Sequence, residues 1–412
     1  MDILVKAPEN YTDCIIKLPS SKSISNRLLL LNALSYSPYE IKNLSDSDDT
    51  RVMLEVLNSN GNVFDIGAAG TSMRFLTAFL SKVVGEWVLT GSERMKQRPI
   101  GILVDALRKL GARIEYEEKE GYPPLRIFGS ALQGGDLTLP GNISSQYISA
   151  LLMIAPQVEN GLTIHLEGEI ISRPYIDLTL ALMEEYGVKG IWQDERTIII
   201  PEANYRPKQM SVEGDWSAAS YWYEIVALNP GLEVTLQGLR KDSLQGDSKV
   251  KDIFSDLGVR SDFTKRGLKL SFSGSVPDRY TYDFSDQPDL AQTVVTTCCL
   301  LGVPFAFTGL QTLKIKETDR INALIRELGK MGFRLKTNNV DTLEWDGAKT
   351  QVPDKNIETE TYKDHRMAMA FAPSASRVSR IIIRDAGVVT KSYPSFWDDI
   401  KKAGYIIQTT GS

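Results

Sequence analysis

The feature of this 412-residue sequence that most restricts its fold is an internal repeat. Six helical patterns each end close to a glycine and are followed by the apolar and polar alternation typical of a β-strand. The patterns are "VMLEVLNSNG", "ILVDALRKLG", "LTLALMEEYG", "VKDIFSDLG", "INALIRELGKMG" and "FWDDIKKAG". Their glycines predict six left-handed helix caps and are Gly61, Gly111, Gly187, Gly258, Gly332 and Gly404. The first interval is about 50 residues and the others are just over 70, which indicates six copies of one unit, the first shortened.

A second set of six helical patterns precedes the first set. These patterns start with small or polar residues and are apolar on all sides after the first turn, which is typical of buried helices. They are "SKSISNRLLLLNAL", "GTSMRFLTAFL", "SSQYISALLMIA", "DWSAASYWYEIVAL", "PDLAQTVVTTCCLL" and "DHRMAMAFA". The sequence therefore predicts an α/β unit with one buried helix, one amphipathic helix and several strands, in which the buried helices pack together and the sheets lie outside.

Composition limits the class of protein. A hydrophobic content of 42% and a charged content of 24% are ordinary for a globular chain, and the length suits two domains. A run of about 18 apolar residues is absent and the first residues do not resemble a signal peptide, so we expect a soluble, cytoplasmic protein. The net charge of -5 argues against a nucleic-acid-binding surface but permits an anion-binding site.

The cysteines and histidines predict neither a disulfide framework nor a structural metal. The three cysteines are an odd number, and Cys298 and Cys299 are neighbours in an apolar segment, so they and Cys14 are expected to be small core residues. The two histidines, His165 and His365, are too few for a histidine-rich site, and no zinc spacing occurs.

Cations recur at or just before the predicted helix starts, where exposed backbone N–H groups and the helix dipole favour anions. The stretch "KIKETDRI" at 314–321 is the densest case. Its ordinary explanation is a solvated helix face, with Lys316 opposite Asp319 and repelled by Arg320. Repeated placement of cations in an acidic chain instead indicates a small polyanion carrying phosphate or carboxylate groups.

Eight motifs, in order and at similar spacing, make the chain from Leu18 to Lys391 resemble the 5-enolpyruvylshikimate-3-phosphate (EPSP) synthase family. They are "LPSSKSISNRLLLLNAL", "AAGTSMRFLTAFL", "RMKQRPIGILVDAL", "SSQYISALLM", "SRPYIDLTLALM", "VEGDWSAASY", "KIKETDRI" and "DHRMAMAFA". The resemblance implies transfer of the enolpyruvyl group of phosphoenolpyruvate to the 5-hydroxyl of shikimate 3-phosphate, with release of phosphate. It also implies that no cofactor or metal takes part, that glyphosate is an inhibitor, and that the partners are small molecules only. We expect the chain to act as a monomer.

The fold implied by the resemblance is a two-domain inside-out α/β barrel built from six βαβαββ-type units, three in each domain. The expected domains are residues 1–18 with 214–412, and residues 19–213, with the active site in the cleft between them.

The resemblance also implies which residues bind the two substrates. Those matching the shikimate 3-phosphate site are Lys22, Ser23, Arg27, Ser144, Ser145, Gln146, Ser172, Tyr175, Asp289 and Lys316. Those matching the phosphoenolpyruvate site are Lys22, Gly70, Arg98, Gln146, Arg320, Arg366 and Lys391. From the residues alone, the serines would be helix N-caps and Tyr175 a core phenol.

Two carboxylates match the family's proton-transfer groups. Asp289 corresponds to the aspartate beside the reacting hydroxyl, and Glu317 to the glutamate beside the methylene carbon, while Lys22 or Lys391 could share either role. The alternative for Asp289 is a cap on the following helix. We interpret Asp215 as a helix cap, and His365 as a structural hydrogen-bonding partner.

Three positions depart from the family pattern. Ala68 stands in place of an asparagine, Phe75 in place of a proline, and Thr312 in place of a frequent asparagine. The missing amide at Ala68 removes donors and an acceptor close to the expected phosphoenolpyruvate site. These changes leave ligand affinity and the response to glyphosate open.

Two rival functions remain at the level of sequence. The UDP-N-acetylglucosamine enolpyruvyl transferases share the architecture, but they usually carry a cysteine near the "RMKQRP" position, where this chain has none. A non-catalytic ring around DNA would also contain six repeats, but it should carry cations along helices that are apolar here.

Overall fold

The computed structural model describes residues 1–351 and 357–410 and contains two compact units. The first unit comprises Met1–Ser20 and Glu213–Ser412, and the second comprises Ser21–Val212. The expected domain bounds, 1–18 with 214–412 and 19–213, differ from these bounds by one or two residues.

Thirteen α-helices and nineteen strands occur in the described parts of the chain. The helices are α1 (Lys22–Leu34), α2 (Asp48–Asn58), α3 (Gly70–Lys82), α4 (Gly101–Lys109), α5 (Ser145–Ile154), α6 (Arg173–Glu185), α7 (Trp216–Leu228), α8 (Val250–Asp256), α9 (Ala291–Leu301), α10 (Arg320–Lys330), α11 (His365–Phe371), α12 (Ala375–Val378) and α13 (Phe396–Lys402). The strands are β1 (Asp2–Lys6), β2 (Cys14–Lys17), β3 (Val63–Asp65), β4 (Gly85–Thr90), β5 (Arg113–Tyr116), β6 (Leu125–Gly129), β7 (Gln133–Pro140), β8 (Glu159–Glu167), β9 (Ile191–Trp192), β10 (Thr197–Ile200), β11 (Val234–Gln237), β12 (Val259–Thr264), β13 (Gly267–Phe272), β14 (Tyr280–Asp283), β15 (Phe305–Thr308), β16 (Leu343–Trp345), β17 (Ile357–Thr359), β18 (Arg380–Ile383) and β19 (Ile406–Thr410).

The sheets repeat one topology. In the second unit the strand orders are β3-β4-β6-β5 and β7-β8-β10-β9. In each sheet the first pair is parallel and the other pairs are antiparallel. An inner helix connects the parallel strands, α3 in one sheet and α5 in the other, and an outer helix, α4 or α6, follows. This order is the predicted βαβαββ unit.

The first unit contains three sheets within the described residues, with orders β12-β13-β11-β2, β14-β15-β16 and β17-β18-β1-β19. β2 pairs in parallel with β11, and β1 lies between β18 and β19. The first 20 residues therefore complete two sheets whose other strands all come after residue 233, which makes this unit discontinuous.

All twelve predicted helices are present, but one predicted cap is wrong. Five of the six glycines have positive φ, for example 95° at Gly111, as a left-handed cap requires. α2 instead ends at Asn58, and Ser59 after it is extended, so Gly61 caps nothing. The copy containing α1 and α2 also builds no sheet of its own from described residues, and isolated bridges join Ser20 to Gly214 and Lys42 to Ser211.

The inner helices are buried as predicted, and each unit has its own hydrophobic core. α7 has twelve buried residues among its thirteen, whereas the outer helix α10 alternates buried and exposed residues with helical periodicity. Burying an inner helix on all sides leaves only its ends accessible, and polar residues collect at those ends. No helix in the described part of the chain is long and apolar enough to cross a membrane.

Candidate active site

The starts of α1, α2 and α3 are joined by polar contacts in the second unit. Ser21 caps α1 by accepting a hydrogen bond from the backbone N–H of Ile24 at 3.4 Å. Lys22, the first residue of α1, lies 3.3 Å from a carboxylate oxygen of Asp49 in α2. Ser72 of α3 donates to the Asp49 carbonyl at 3.1 Å. The Lys22 ammonium is thus held at a convergence of three helix starts.

Gly70 gives the Arg98 guanidinium room at the start of α3. A Cβ atom at position 70 would lie 2.4 Å from Nη1 of Arg98, far inside ordinary contact distance. Gln146, in the first turn of α5, donates from Nε2 to Thr71 Oγ1 at 3.2 Å, which joins a fourth helix start. The backbone at Gly70 therefore contacts a protein cation directly, a reason for glycine that the sequence alone did not reveal.

Arg27 is buried among the inner helices, and the protein itself engages most of its donors. Nε donates to Thr179 Oγ1 at 2.7 Å, Nη1 donates to the Ser23 carbonyl at 2.9 Å, and Nη2 donates to Ser149 Oγ at 3.1 Å and to the Tyr175 carbonyl at 3.2 Å. Burial lowers the pKa of Arg27 to about 10, so the side chain stays charged at neutral pH. Arg27 thus joins α1, α5 and α6, and one N–H of Nη1 remains beyond these bonds.

The serine motif residues lie at the starts of α5 and α6. Ser144 caps α5 by accepting from the backbone N–H of Gln146 at 3.4 Å, and Ser145 is the first helical residue. Ser172 precedes α6 in a left-handed conformation with φ of 57° and makes no side-chain cap. Strain of this kind in a non-glycine residue costs energy and is concentrated at functional sites.

Most of the densely charged stretch 314–321 precedes a helix instead of forming its first turn. α10 begins at Arg320, and Asp319 caps it by accepting from the Asn322 N–H at 3.1 Å. Lys316 and Glu317 precede the helix. The explanation by a solvated helix face is wrong, because Lys316 lies 3.6 Å from Asp289 and Arg320 is almost fully buried.

Asp289 is the centre of the first unit's charged cluster. Its carboxylate lies 3.1 Å from Arg320 Nη1, 2.8 Å from Arg366 Nη2 and 3.6 Å from Lys316 Nζ. It sits in a 3-10 turn before α9 and makes no side-chain cap, so the cap alternative is wrong. Burial opposes its ionisation, but Arg366, Lys316 and Arg320 hold its pKa well below the usual range.

Glu317 lies between two cations. Oε2 accepts from Arg320 Nη2 at 2.9 Å, and Oε1 accepts from Lys391 Nζ at 2.8 Å. Burial lowers the pKa of Lys316 next to it, with Asp289 and Glu317 acting in the opposite direction. The cluster therefore contains four cations and several carboxylates close to the starts of α9, α10 and α11.

Asp364 holds Arg320 and was missed by the sequence analysis. It is fully buried, and its carboxylate lies 2.7 Å from Arg320 Nε and 3.3 Å from Nη2. It also caps α11 by accepting from the Arg366 N–H at 2.9 Å. Burial opposes the charge on Arg320, but Asp364, Glu317 and Asp289 raise its pKa above the ordinary value. The only signal for Asp364 in the sequence was its position immediately before His365 and Arg366.

The departures from the family pattern have local consequences. Phe75 lies under the Arg27 guanidinium, with 5.5 Å between its ring centroid and the guanidinium carbon. The Thr312 hydroxyl is buried and has no hydrogen-bond partner among the described residues. A buried hydroxyl without a partner is costly, so a ligand that supplied one would be favoured there.

The remaining sequence predictions concern supporting residues. Asp215 caps α7 as predicted, accepting from the Ala218 N–H at 3.1 Å. The cysteines are free, with Cys298 and Cys299 buried as expected and Cys14 only half-buried. His365 is buried, with Nδ1 3.7 Å from Asp364. Among the described residues, no group of three or more His, Cys, Asp or Glu is arranged to hold a metal ion.

Together these contacts give each unit a set of buried cations at the starts of its inner helices. Cations placed at helix starts are typical of α/β proteins that bind small molecules with phosphate or carboxylate groups. In the first unit, carboxylates lie among the cations, so groups able to hold or move a proton accompany the groups able to hold anions.

Comparison with known proteins gives the family. The model of the EPSP synthase (3-phosphoshikimate 1-carboxyvinyltransferase) family matches residues 6–62 and 57–400. A relative named 3-phosphoshikimate 1-carboxyvinyltransferase from Bacteroides fragilis is 52% identical over 99% of each chain, and one from Vibrio cholerae is 38% identical over 97% of this chain and 98% of its own. The chain therefore belongs to the EPSP synthase family.

Solved structures give the fold independently. The EPSP synthase from Acinetobacter baumannii superposes with a TM-score of 0.78, covering 99% of this chain and all of its own, at 20% identity. At that identity the likeness concerns the fold, and it confirms the predicted two-domain α/β class.

Proposed function

We propose that this protein transfers the enolpyruvyl group of phosphoenolpyruvate to the 5-hydroxyl of shikimate 3-phosphate and releases phosphate. The observation that carries the proposal is the cluster around Asp289 and Glu317, in which carboxylates hold Lys316, Arg320, Arg366 and Lys391 within 3.6 Å. The match to the family along almost the whole chain supports the same conclusion. Further hydrogen-bond donors that we propose for phosphoenolpyruvate are Lys22, Arg98 and Gln146 of the second unit.

Substrate anions should redistribute the charges of this cluster. Phosphoenolpyruvate brings a phosphate and a carboxylate, which Arg320, Arg366 and Lys391 can bind with charge-assisted hydrogen bonds. Each such bond draws a cation away from Asp289 or Glu317. Since Arg366 and Arg320 depress the pKa of Asp289, their engagement by substrate raises that pKa, and the carboxylate becomes a better base.

The reaction then proceeds by addition and elimination. In the addition, the oxygen of the 5-hydroxyl bonds to C2 of phosphoenolpyruvate and its proton passes to Asp289. A second proton is added to the methylene carbon C3. In the elimination, C3 loses a proton, the C2–O bond to phosphate breaks and the enol ether forms. Glu317 and Lys391, which share a hydrogen bond of 2.8 Å, are the pair proposed to carry the carbon proton.

The shikimate 3-phosphate partners remain the residues named from the sequence. Ser144, Ser145, Gln146, Ser172 and Tyr175 lie at the starts of α5 and α6, where backbone N–H groups favour a phosphate. Ser23 and Arg27 lie in α1, and the spare N–H of Arg27 is the group we assign to the ligand.

Cellular context belongs to the same proposal. A net charge of -5 suits small anionic substrates bound in a local cationic site better than it suits nucleic acid. We propose that the protein is cytoplasmic and monomeric. Size-exclusion chromatography with light scattering would test the monomer by comparing the measured mass with the 45.9 kDa of one chain.

The decisive experiment is an assay of phosphate release from phosphoenolpyruvate with each of two acceptors. We expect turnover with shikimate 3-phosphate and none with UDP-N-acetylglucosamine. Turnover with UDP-N-acetylglucosamine alone would show that the proposed acceptor is wrong. A folded protein that releases no phosphate with either acceptor would refute the proposal. Mass spectrometry of the product separates transfer from simple hydrolysis.

A further inference from the structure

A buried carboxylate outside the assigned residues is connected to the charged cluster by hydrogen bonds. Asp247 lies in a 3-10 turn before α8 and is 3% exposed. Its Oδ2 accepts a hydrogen bond from the hydroxyl of Ser217, in the first turn of α7. Arg366 Nη2 approaches the same hydroxyl oxygen at 3.5 Å and donates to Asp289 Oδ2 at 2.8 Å.

We propose that Asp247 is a positioning residue that, through Ser217, orients Arg366 toward phosphoenolpyruvate and Asp289. The inference rests on the proposed function, which gives Arg366 and Asp289 their roles. Asp247 itself is not assigned a contact with substrate.

The serine hydroxyl gives this connection a direction. It has one proton and two acceptor lone pairs. An ionised Asp247 can only accept a hydrogen bond, so the Ser217 hydroxyl donates to it. The Ser217 oxygen then presents its lone pairs to the Arg366 N–H. A protonated Asp247 can donate to Ser217, which releases the serine proton to turn toward Arg366, where it meets another donor. The ionised form of Asp247 is therefore the one that supports Arg366.

The surroundings place this ionisation in an accessible pH range. Burial, together with the charges of Asp289 and Asp215, raises the pKa of Asp247 to about 6 against the opposing effects of Arg366 and the Ser217 hydrogen bond. The Tyr282 phenol on β14 also lies near enough to feel its charge. Protonation of Asp247 near pH 6 should thus weaken the hold on Arg366.

The test uses Asp247→Asn, which keeps the side-chain shape but removes the titrating group. We expect an acid limb near pH 6 in kcat/KM for phosphoenolpyruvate in the parent enzyme, loss of that limb in the variant, and a KM for phosphoenolpyruvate raised roughly tenfold. The matched control is Asp252→Asn on α8, an exposed carboxylate 2.8 Å from Lys249, which should leave both quantities unchanged. A parent-like pH profile and KM in Asp247→Asn would overturn the proposal.

Two further measurements keep the outcome decisive. Ser217→Ala should reproduce the raised KM, whereas Ser217→Thr, which keeps the hydroxyl, should not; equal behaviour of the two refutes the connection even if Asp247→Asn does not fold. A parent inactive with both substrates would refute the proposed function instead.

Thermal melting then tests Asp247 without activity. Because its folded pKa lies above the unfolded value of 3.8, the parent loses the stability gained from the bound proton as pH rises from about 4 to 6. The melting temperature of Asp247→Asn relative to the parent should therefore increase over that range, and a constant difference would contradict the assigned ionisation.

Discussion

Adding one methyl group at Gly70 tests the role that we propose for Arg98 as a cation that binds phosphoenolpyruvate. A Cβ atom at this position would stand 2.4 Å from Arg98 Nη1 and 2.9 Å from Nη2. Ordinary contacts begin near 3.4 Å, so Gly70→Ala forces the guanidinium to withdraw by about 1 Å. The backbone of α3 need not move, because the obstructing atoms are the end of a flexible side chain.

The displacement has a calculable effect on ligand binding. A hydrogen bond to a charged group contributes about 1.5–3 kcal/mol, and about 1.4 kcal/mol corresponds to a factor of ten. Loss of one bond from Arg98 to the ligand should therefore raise the KM for phosphoenolpyruvate by roughly 10- to 150-fold. Folding should not suffer, since alanine is favoured over glycine in a helix by about 0.5–1 kcal/mol.

Steady-state kinetics and glyphosate inhibition measured on the same samples provide the assay. If displacement of Arg98 is the cause, phosphoenolpyruvate and glyphosate should lose affinity by similar factors; if pocket size is the cause, the bulkier glyphosate should lose more. Gly329→Ala is the matched control, because that glycine is exposed in α10 with nothing within 4 Å of a built Cβ. Unchanged KM and inhibition in Gly70→Ala would refute the reasoning.

Three further changes test other parts of the structure. Asp364→Asn leaves Arg320 without its closest carboxylate, so we expect a loss of roughly 3–5 kcal/mol in the free energy of unfolding, measured by urea titration. Glu317→Gln should retain binding but lose about 10² to 10⁴ in turnover and suppress solvent deuterium entry into the methylene group at least as strongly, as followed by NMR. Glu224 is fully buried, its oxygens have no hydrogen-bond partner within residues 1–351 and 357–410, and burial raises its pKa well above 4.5. Its folded form therefore loses stability as pH rises, and the melting temperature of Glu224→Gln relative to the parent should increase from pH 4 to 8.

Each of these three predictions has a contradicting result. Parent-like unfolding of Asp364→Asn would mean that Arg320 is held by Asp289 and Glu317 alone. Normal turnover of Glu317→Gln would return Glu317 to the role of neutralising Arg320 and Lys391, leaving Lys391 or Lys22 as the proton carrier. A melting difference for Glu224→Gln that does not change with pH would show that Glu224 is not a buried titrating group.

The sequence by itself determined the repeat, the helices and the class of fold. The period of about 70 residues, the inner helices apolar on all sides and the glycine caps are local properties, set by helical periodicity and by the left-handed conformation that glycine permits. The exception at Gly61 shows the limit, because two residues between the helix end and the glycine were enough to remove the cap.

The tertiary structure decided which charges meet. The sequence showed Lys316 and Arg320 close together near a helix start, but their partners Asp289 and Asp364 lie 27 and 44 positions away along the chain. The same holds for Gly70 with Arg98, and for Asp247 with Ser217. The physical reason is that buried cations need carboxylates, and packing decides which carboxylates reach them. Local sequence fixes where a helix begins, whereas its neighbours at that end are fixed only when all the inner helices are packed.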